Sequence, residues 1–485
     1  MRAHSFDRHG ARRWFWALLA IAALLRALAF NPWSAHHPDE LFQYVEQAYR
    51  IVFGDGIVPW EYRFRIRNMA MPWLLAGPMA LGRAIDPGGI AYLVLPRALI
   101  AGIGLVPVVA AWRIGRRHSP RHAIVAMAAM AVWTESVMFS VQTLSEIVAV
   151  AAFLAGAALF RRDATRWRIA AVGALMTAAC VFRFQSGPAL LAWALVAAGR
   201  DRRAWGWLAA GAIPVIATGG LFDLSGGQIP YTWIWRNYQF NIVAGRMKEI
   251  GGVSPWTYLL TWPQAWGIPS LLVIFLAIKG WRREPALVIA ALANLVLHQF
   301  VGHKEQRYLL LTTQPLLIVA ALGSVDLMRR WTLVRLVAAW AAASASLWLI
   351  PYYWVDFREN GARTRLARAV IADPAVCGLV IPGEEYFYFG RAMVQSSKPI
   401  YLLPTGGPPV TFDRPHPPRP AAPLRAANAM LDYAIEGPPA APWVAGRCVG
   451  NDDHRLCAYR RPGGCDAIGQ ARPHLFQEQL DSRGM

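Results

Sequence analysis

The feature that most constrains the fold of this chain is the recurrence of apolar runs close to the length that spans a bilayer. A transmembrane helix needs about 20 predominantly apolar residues, and runs near that length recur along the first 350 positions. The chain is 56% hydrophobic and contains 22 tryptophans in 485 residues, more apolar surface than a soluble fold of this size buries. The sequence therefore predicts an α-helical polytopic membrane protein.

We predict about eleven transmembrane helices. The first is an uncleaved N-terminal span, because no small-residue cleavage site stands out before His36. The predicted spans are residues 14–30, 91–112, 123–140, 141–160, 167–184, 187–199, 204–222, 256–279, 284–301, 307–324 and 331–350. The run 71–85 is short and broken by Pro78, so we expect it to lie along the membrane interface within the first external loop.

The distribution of basic residues indicates the topology. The formal charge of +20 is carried by short clusters between apolar runs, which argues for cytoplasmic topology signals and against nucleic-acid binding. With a cytoplasmic N-terminus every dense basic loop falls inside, and residues 31–90, residues 223–255 and everything after residue 350 face outward. Only four of the 49 basic residues are lysines, which indicates a GC-rich bacterial genome. We therefore expect the bacterial inner membrane, with these segments in the periplasm.

Residues 351–485 differ in composition from the transmembrane domain of residues 1–350. Proline-rich stretches and short alternating runs such as VCGLVIPG and PIYLLP indicate a small external α/β domain or a loosely ordered cap. Four of the five cysteines lie in this segment, and oxidation after export allows three pairings if all four are bridged. The stretch RCVGNDDHRLCAY predicts a hairpin, so we favour a Cys448–Cys457 disulfide.

A cluster of titratable residues follows the first span, in the stretch SAHHPDELFQYVEQAYR. Pro38 suits the first turn of a helix, and Asp39 and Glu40 then meet the positive end of the helix dipole. Apolar residues at helical spacing predict an amphipathic helix on the outer membrane face. Two interpretations stay open: the carboxylates complement the dipole, or one of them acts as a general base. The two preceding histidines are interfacial or cap the helix, since adjacent histidines without a third ligand rarely bind a metal.

A second cluster, GHKEQRYLL, lies at the outer end of two predicted spans. Charged groups at a membrane boundary are costly unless they pair with one another or bind a ligand. Lys304, with Arg307 three residues on, is a plausible phosphate clamp. The alternative is interfacial snorkelling with Glu305 paired to one of the two cations.

Further charged groups are predicted at the same side of the membrane. They are Arg63, Arg65, Arg67, Glu135, Glu146 and Arg183. Each is unremarkable by itself. Together they favour an outward-facing site for an anionic, lipid-anchored substrate.

These motifs resemble those of a known family. HHPDELFQYVEQAY resembles the HPDE loop of the Alg9-like mannosyltransferases, glycosyltransferase family 22, and WEYRFRIRNMAMPW resembles the segment that ends that family's first luminal loop. FSVQTLSEIVAV is similar to the start of its next span, and NYQFNIVAG with GVSPWTYLL is similar to its large middle loop. GHKEQRYLL resembles its HKE-R-aromatic motif, and all of these occur in the family's order across residues 30–310.

The resemblance implies a GT-C fold for residues 1–350, with interfacial helices in the first external loop. The small external domain of residues 351–485 follows it in the sequence. It implies inverting transfer of a hexose, usually mannose, from a polyprenyl-phosphate sugar to a lipid-linked or exported glycan. Asp39 would be the base with Glu40 as its neighbour, and three residues of the HKEQR loop (302–307) would hold the donor phosphate. These are His303, Lys304 and Arg307. Further substrate contacts would come from His37, Arg65, Arg67, Glu135, Arg183 and Asn241.

The resemblance implies no obligatory cofactor or metal, since a lipid phosphate is a good leaving group. The eukaryotic members of the family lie in the endoplasmic reticulum membrane. Two alternatives stay open. One is a transferase for another polyprenyl-phosphate sugar, of the arabinose or aminoarabinose type. The other is a non-enzymatic transporter or flippase of lipid-linked glycans, which the clustering of charges at the outer ends of the spans disfavours.

Overall fold

The computed structural model describes residues 8–245, 253–350, 357–381, 389–396, 398–402, 427–433, 442–450 and 455–465. Most of them are helical. The α-helices are Arg8–Ala29, Glu46–Phe53, Trp60–Arg63, Ala70–Ile85, Ala91–Ile103, Val106–Arg116, Pro120–Val132, Thr134–Phe139, Ser145–Leu159, Arg166–Phe182, Gly187–Ala198, Arg202–Ser225, Thr232–Tyr238, Thr257–Trp266, Ile268–Gly280, Pro285–Gln299, Leu310–Leu327, Leu333–Ala345, Phe357–Ala372 and Arg391–Val394. Glu40–Val45 and Gln239–Val243 are π-helical, and Phe184–Ser186, Gln306–Leu309 and Ser346–Leu349 form 3₁₀ turns.

Helices occupy all eleven predicted apolar segments, but several segments are broken. Judged by length and hydropathy, three helical stretches of the described chain could each cross a bilayer: Ala91–Arg116, Arg202–Ser225 and Gln306–Leu327. The segment predicted as one span at 256–279 is two helices meeting at 108°, which at most adds a fourth. Five further apolar helices are shorter, at 10–17 residues. The polytopic helical class is confirmed, and the number of spans stays a prediction.

Helix boundaries follow local chemistry. The helix Gly187–Ala198 ends at Gly199, whose φ of +58° lies in the left-handed region that a residue without a Cβ adopts at little cost. Asp201 then begins the next helix: its Oδ1 accepts the backbone N–H groups of Arg203 and Ala204 at 2.9 and 3.1 Å. These signals explain why the short run predicted at 187–199 forms a separate helix.

The chain forms two compact units. The first comprises Met1–Phe30, Asn68–Met71 and Ala98–Val355, and the second comprises Asn31–Arg67, Pro72–Arg97 and Asp356–Met485. All of the first external loop except Asn68–Met71 thus shares a unit with the C-terminal residues, a grouping that the sequence did not predict.

The central element of the first unit is the helix Leu310–Leu327, in which every residue from 310 to 325 is buried. It packs closely on the helix Ile268–Gly280 through two glycines. A Cβ on Gly323 would lie 2.1 Å from the carbonyl oxygen of Leu276, and one on Gly280 would also meet backbone. This buried helix gives a fixed support to the HKEQR loop that directly precedes it.

In the second unit, the HPDE motif (residues 37–40) opens a helix that continues to Phe53. The apolar residues Leu41, Val45 and Ala48 are buried, as the helical spacing predicts, but so are all the polar positions from 40 to 49. The amphipathic pattern of the sequence therefore does not divide this stretch into a buried face and a solvent-exposed face. The polar side chains are buried because neighbouring backbone and side chains supply hydrogen-bond partners, as described below.

The C-terminal residues form a five-stranded mixed sheet, which favours the α/β alternative over a loose cap. Its strands are β1 Leu379–Ile381, β2 Ile400–Leu402, β3 Ala429–Tyr433, β4 Val444–Val449 and β5 Leu456–Arg460. They lie in the order β2-β1-β3-β5-β4, with β1 parallel to β2 and β3 and the remaining pairs antiparallel. The predicted Cys448–Cys457 disulfide is confirmed between paired positions of β4 and β5, and Cys377 pairs with Cys465. The proline-rich stretch of residues 404–423 lies outside the described residues.

Candidate active site

The two carboxylates of the HPDE motif lie in different environments. Asp39 keeps 18% of its side chain exposed, and its Oδ1 lies 3.6 Å from Nδ1 of His37. Glu40 is 2% exposed, and its Oε1 accepts the backbone N–H of His36 at 2.8 Å. Glu40 therefore stabilises the turn that begins the helix, whereas the carboxylate of Asp39 is the more accessible to solvent.

The two histidines of this turn also differ. Nδ1 of His37 accepts the backbone N–H of Asp39 at 3.1 Å, which places the ring beside the Asp39 carboxylate. Burial, and secondly the positive charge of Arg97, lower the pKa of His36 to about 3. His36 is therefore neutral at physiological pH and is no candidate for a cationic role.

Glu61 is a site residue that the motifs did not indicate, because only the arginines of FRFRIRN stand out in that stretch. Its carboxylate is 5% exposed and accepts the side-chain amide of Gln43 at 2.7 Å. Gln43 lies four residues after Asp39, which places both on one side of the helix. Burial, and secondly the negative charge of Asp39, raise the pKa of Glu61 to about 7 against the opposing charge of Arg67. Glu61 thus adds a third carboxyl group to the two of the HPDE motif.

We predict that Glu61→Gln weakens the pH dependence of stability. The folded-state pKa of about 7 lies above the ordinary 4.5, so folding favours the protonated form. The contribution is fully present below the unfolded pKa and is lost as the pH rises through about 7. Wild-type protein should therefore unfold at a lower temperature at about pH 8 than at about pH 5. An amide cannot ionise, so the variant should show a smaller decrease.

Thermal unfolding in detergent, followed by tryptophan fluorescence across this pH range, measures the difference. Asp163→Asn is the matched control, since Asp163 is 71% exposed and should leave the slope unchanged. A Glu61→Gln protein with the wild-type slope contradicts the prediction.

Two arginines predicted as substrate contacts lie in the same loop but in different settings. Arg67 is half-buried and acts on the charge of Glu61. Arg65 is exposed and adopts a φ of +54°, a conformation that costs a residue with a Cβ of the order of 1 kcal/mol or more. The loop therefore holds Arg65 in a strained, solvent-facing position.

In the first unit, the second cluster is built around two buried arginines. Arg183 is 9% exposed, and its Nη1 lies 2.9 Å from Oε1 of Glu146. Arg307 is 4% exposed, and its Nε lies 3.5 Å from the same oxygen. The guanidinium of Arg183 also lies 4.7 Å from the ring centroid of Tyr308. Glu146 therefore brings together two cations that are 124 residues apart in the sequence.

Glu305 organises the HKEQR loop. Its carboxylate accepts two hydrogen bonds from Arg307, at 2.5 Å from Nε and 2.9 Å from Nη2. It also accepts the hydroxyl of Tyr308 at 2.9 Å and lies 2.8 Å from Nε2 of His303. The hydroxyl of Tyr258 bonds to the backbone N–H and carbonyl of Glu305 at 3.0 and 2.9 Å. The sequence indicates Glu305 only as a partner of one cation, whereas the structure makes it the common acceptor of three side chains.

Lys304 makes contacts other than those predicted. Its ammonium donates to the carbonyls of His298, Gln299 and Val301 at 2.9, 2.8 and 2.7 Å. Three hydrogen bonds use all three N–H groups of an ammonium. In this arrangement Lys304 caps the C-terminal end of the helix Pro285–Gln299 and is not positioned as a phosphate ligand.

Glu135 is completely buried, and its carboxylate binds the HKEQR loop through the side chain of Gln306. It accepts hydrogen bonds from Trp266 Nε1 at 3.1 Å, Gln306 Nε2 at 2.8 Å and Thr313 Oγ1 at 2.8 Å. Trp266 ends the helix at the 108° bend, and Thr313 lies on the central helix. The structure thus gives Glu135 a supporting position in place of the predicted substrate contact.

Asn241 is half-buried in the π-helix Gln239–Val243, and its side-chain amide donates to Asn237 at 3.0 Å. Of the residues predicted from the sequence, the structure joins Arg183, His303 and Arg307 in one cluster of the first unit. It gives Asn241 no contact with that cluster among the described residues. Part of the predicted second external loop, residues 246–252, lies outside the described chain.

Comparison with known proteins identifies the family. The Alg9-like mannosyltransferase family model matches residues 14–355. The chain is 24% identical over 416 residues to GPI mannosyltransferase 3 of Yarrowia lipolytica, covering 81% of this chain and 78% of that protein. It is 36% identical over 67 residues to GPI mannosyltransferase 3 of Trypanosoma brucei brucei, covering 14% of this chain and 12% of that protein.

Solved structures identify the fold. ArnT from Cupriavidus metallidurans bound to undecaprenyl phosphate matches with a TM-score of 0.58 at 12% identity, covering 92% of this chain and 98% of ArnT. The apo state of the same protein matches with a TM-score of 0.57 at 14% identity, covering 93% and 98%. At this identity the likeness shows the fold alone. The chain therefore belongs to the Alg9-like mannosyltransferase family, and it is an integral membrane mannosyltransferase with the GT-C fold.

Proposed function

We propose that this mannosyltransferase uses a polyprenyl-phosphate mannose as donor and transfers the sugar, with inversion, to a hydroxyl of a lipid-linked or exported glycan. The observation that carries the proposal is the arrangement of His303 and Arg307 around Glu305, with Arg183 joined to it through Glu146. ArnT, which shares the fold, binds undecaprenyl phosphate in its crystal structure, and this supports a donor with a polyprenyl chain.

The arginine cluster suits a phosphate leaving group. When the bond between the sugar C1 and the phosphate oxygen breaks, negative charge grows on the phosphate, and preorganised cations stabilise it without reorganisation. Arg183 and Arg307 are nearly buried, where such charges act more strongly than in water. Their ion pairs with Glu146 and Glu305 hold both guanidinium groups in position before the donor binds.

His303 adds a directed hydrogen bond. In the protonated imidazole Nε2–H donates to Glu305, which fixes the ring orientation, and Nδ1–H of His303 has no partner among the described residues and can donate to a phosphate oxygen. The ring keeps 22% of its surface exposed. Nδ1 is therefore the atom that we assign to the donor phosphate, whereas Lys304 is assigned to shaping the turn that carries His303.

Asp39 is assigned as the general base. The acceptor hydroxyl attacks C1 on the face opposite the phosphate, so its oxygen forms the new glycosidic bond while the C1–phosphate bond breaks. The hydroxyl proton passes to the Asp39 carboxylate, and the lipid phosphate leaves with the bonding electron pair. Asp39 suits this step better than Glu40, because Glu40 is buried and already accepts a backbone N–H.

We further propose that the reaction takes place at the periplasmic face of a bacterial inner membrane. The positions of the basic loops and the arginine-rich composition support this side and this membrane. A lipid-linked donor fits such a location, because nucleotide sugars are confined to the cytoplasm.

The donor class can be tested directly. Purified protein given a short-chain polyprenyl-phosphate mannose and a glycan acceptor should transfer mannose, also in the presence of EDTA, because its own cations meet the phosphate. GDP-mannose alone should give no product. A polyprenyl-phosphate arabinose, offered in place of the mannose donor, should react more slowly. Mass spectrometry of the acceptor product measures all three reactions.

Asp163→Asn, an exposed change, is the control that should keep full activity. Transfer from GDP-mannose alone, complete loss in EDTA, or preference for the arabinose donor would each contradict the corresponding part of the proposal.

A further inference from the structure

We propose that C-terminal residues 390–395 contribute to catalysis by positioning the general base. Their backbone N–H groups bind Glu46, and this contact holds in place the helix that carries Asp39. The inference rests on the proposed role of Asp39 as base. Nothing in the sequence motifs assigns a task to either Glu46 or the C-terminal residues. Both belong to the second compact unit, so the contacts lie within one unit.

The connection is a buried carboxylate bound by three backbone N–H groups. Glu46 is completely buried. Its Oε1 accepts the N–H groups of Ile57 and Arg391, and its Oε2 accepts that of Ala392, each at 2.9 Å. Hydrogen bonds to a charged group are stronger than neutral ones, and a buried carboxylate without them would be costly. The C-terminal segment therefore supplies two of the three N–H donors that compensate for the burial of the Glu46 carboxylate.

Gly390 shows how closely the two segments approach. A Cβ at this position would lie 2.6 Å from Oε2 of Glu46 and 3.2 Å from Cδ1 of Leu41. The φ of Gly390 is −64°, which any residue can adopt. Glycine is required here by the space that Glu46 occupies and not by backbone conformation.

A second set of contacts fixes the same C-terminal residues to residues 88–92, at the end of the first external loop. The hydroxyl of Tyr92 donates to the carbonyl of Ala392 at 2.6 Å. Arg368 donates to that hydroxyl at 3.1 Å and to Oε1 of Gln395 at 2.8 Å. Arg368 also donates to the carbonyls of Gly88 and Gly89, both at 3.3 Å. Residues 391–395 are thus held from two sides.

The position of Glu46 explains why this contact matters for Asp39. Glu46 lies seven residues after Asp39 on one continuous helix, whose first part, Glu40–Val45, is π-helical. A change that moves Glu46 therefore moves the HPDE end of the same rigid element. A displacement of about 1 Å at a reacting group can cost ~100-fold in rate. We therefore assign Glu46 as a positioning residue that acts through Asp39.

Gly390→Ala tests the inference in the full-length protein. The added methyl pushes against Glu46, so we expect kcat to fall at least about tenfold while the donor KM changes less than about twofold. Amide hydrogen exchange, measured by mass spectrometry, should become faster in peptides from residues 38–53 and 389–396. Gly464→Ala is the matched control, because a Cβ there meets nothing within 4 Å, and it should behave as wild type.

A second variant tests the same contact independently, in case Gly390→Ala fails to fold. Glu46→Gln keeps the shape but replaces one acceptor oxygen by an NH₂ group that faces backbone N–H donors, so it should show the same two changes. Wild-type exchange in the 38–53 peptides of both variants overturns the inference, whatever their activity. Faster exchange with unchanged kcat overturns the positioning role. If wild-type protein transfers no mannose, the proposed function fails, and the exchange data alone still decide whether the C-terminal residues hold this helix.

Discussion

Asp39→Asn is expected to lower the rate of mannose transfer by ~10²–10⁴-fold, the range that general-base catalysis contributes. The amide keeps the size of the carboxylate but cannot accept the proton of the acceptor hydroxyl. Asp39 is the more exposed carboxylate of the HPDE motif, and its Oδ1 lies 3.6 Å from His37. The loss should appear in kcat, with the donor KM nearly unchanged, because no donor contact is assigned to Asp39.

Glu40→Gln separates this role from that of the neighbouring carboxylate. The amide oxygen of Gln can still accept the backbone N–H of His36, which Glu40 accepts at 2.8 Å, so the turn should persist and most activity should remain. Initial rates of both purified variants, at matched membrane insertion, decide the assignment. An inactive Glu40→Gln protein beside an active Asp39→Asn protein would falsify the choice of Asp39 as base.

Much of the architecture follows from hydrophobic patterning. Long apolar runs must be helical in a bilayer, and a helix occupies every segment predicted as a span. The Cys448–Cys457 hairpin was predictable because its two strands are close in sequence. The break at Gly267 was not, because composition does not show that two apolar helices meet at 108° within one run.

The chemistry of the site was predictable only in part. Motif residues such as Asp39 and Arg307 stand out because charged groups are rare next to apolar spans. Long-range partners do not: nothing local to Glu46 indicates that it accepts the N–H groups of Arg391 and Ala392, more than 340 residues away. The charge of Lys304 predicts a phosphate contact, but the helix end beside it offers three carbonyls that compete for the same ammonium. Such competition depends on tertiary geometry, which the spacing of residues does not contain.

Arg307→Met should abolish most transfer, because it removes a nearly buried cation from the proposed phosphate site. A charge-assisted hydrogen bond contributes about 1.5–3 kcal/mol, which is roughly a tenfold to hundredfold loss for each bond to the phosphate. The same change leaves Glu305 without its two-bond partner, at a further cost in stability of about 3–5 kcal/mol. Activity and stability therefore have to be measured separately, by initial rates and by thermal unfolding.

The double variant Arg307→Met with Glu305→Gln distinguishes the two effects. It removes the uncompensated charge, while the amide oxygen of the new Gln can still accept from His303 and Tyr308, which bond to Glu305 at 2.8 and 2.9 Å. We expect the double variant to recover much of the unfolding temperature but none of the transfer activity. Arg161→Met is the matched control, since its pair with Asp163 is 59% and 71% exposed and such surface pairs contribute little. Recovery of activity together with stability would mean that Arg307 only holds the loop and that another group meets the phosphate.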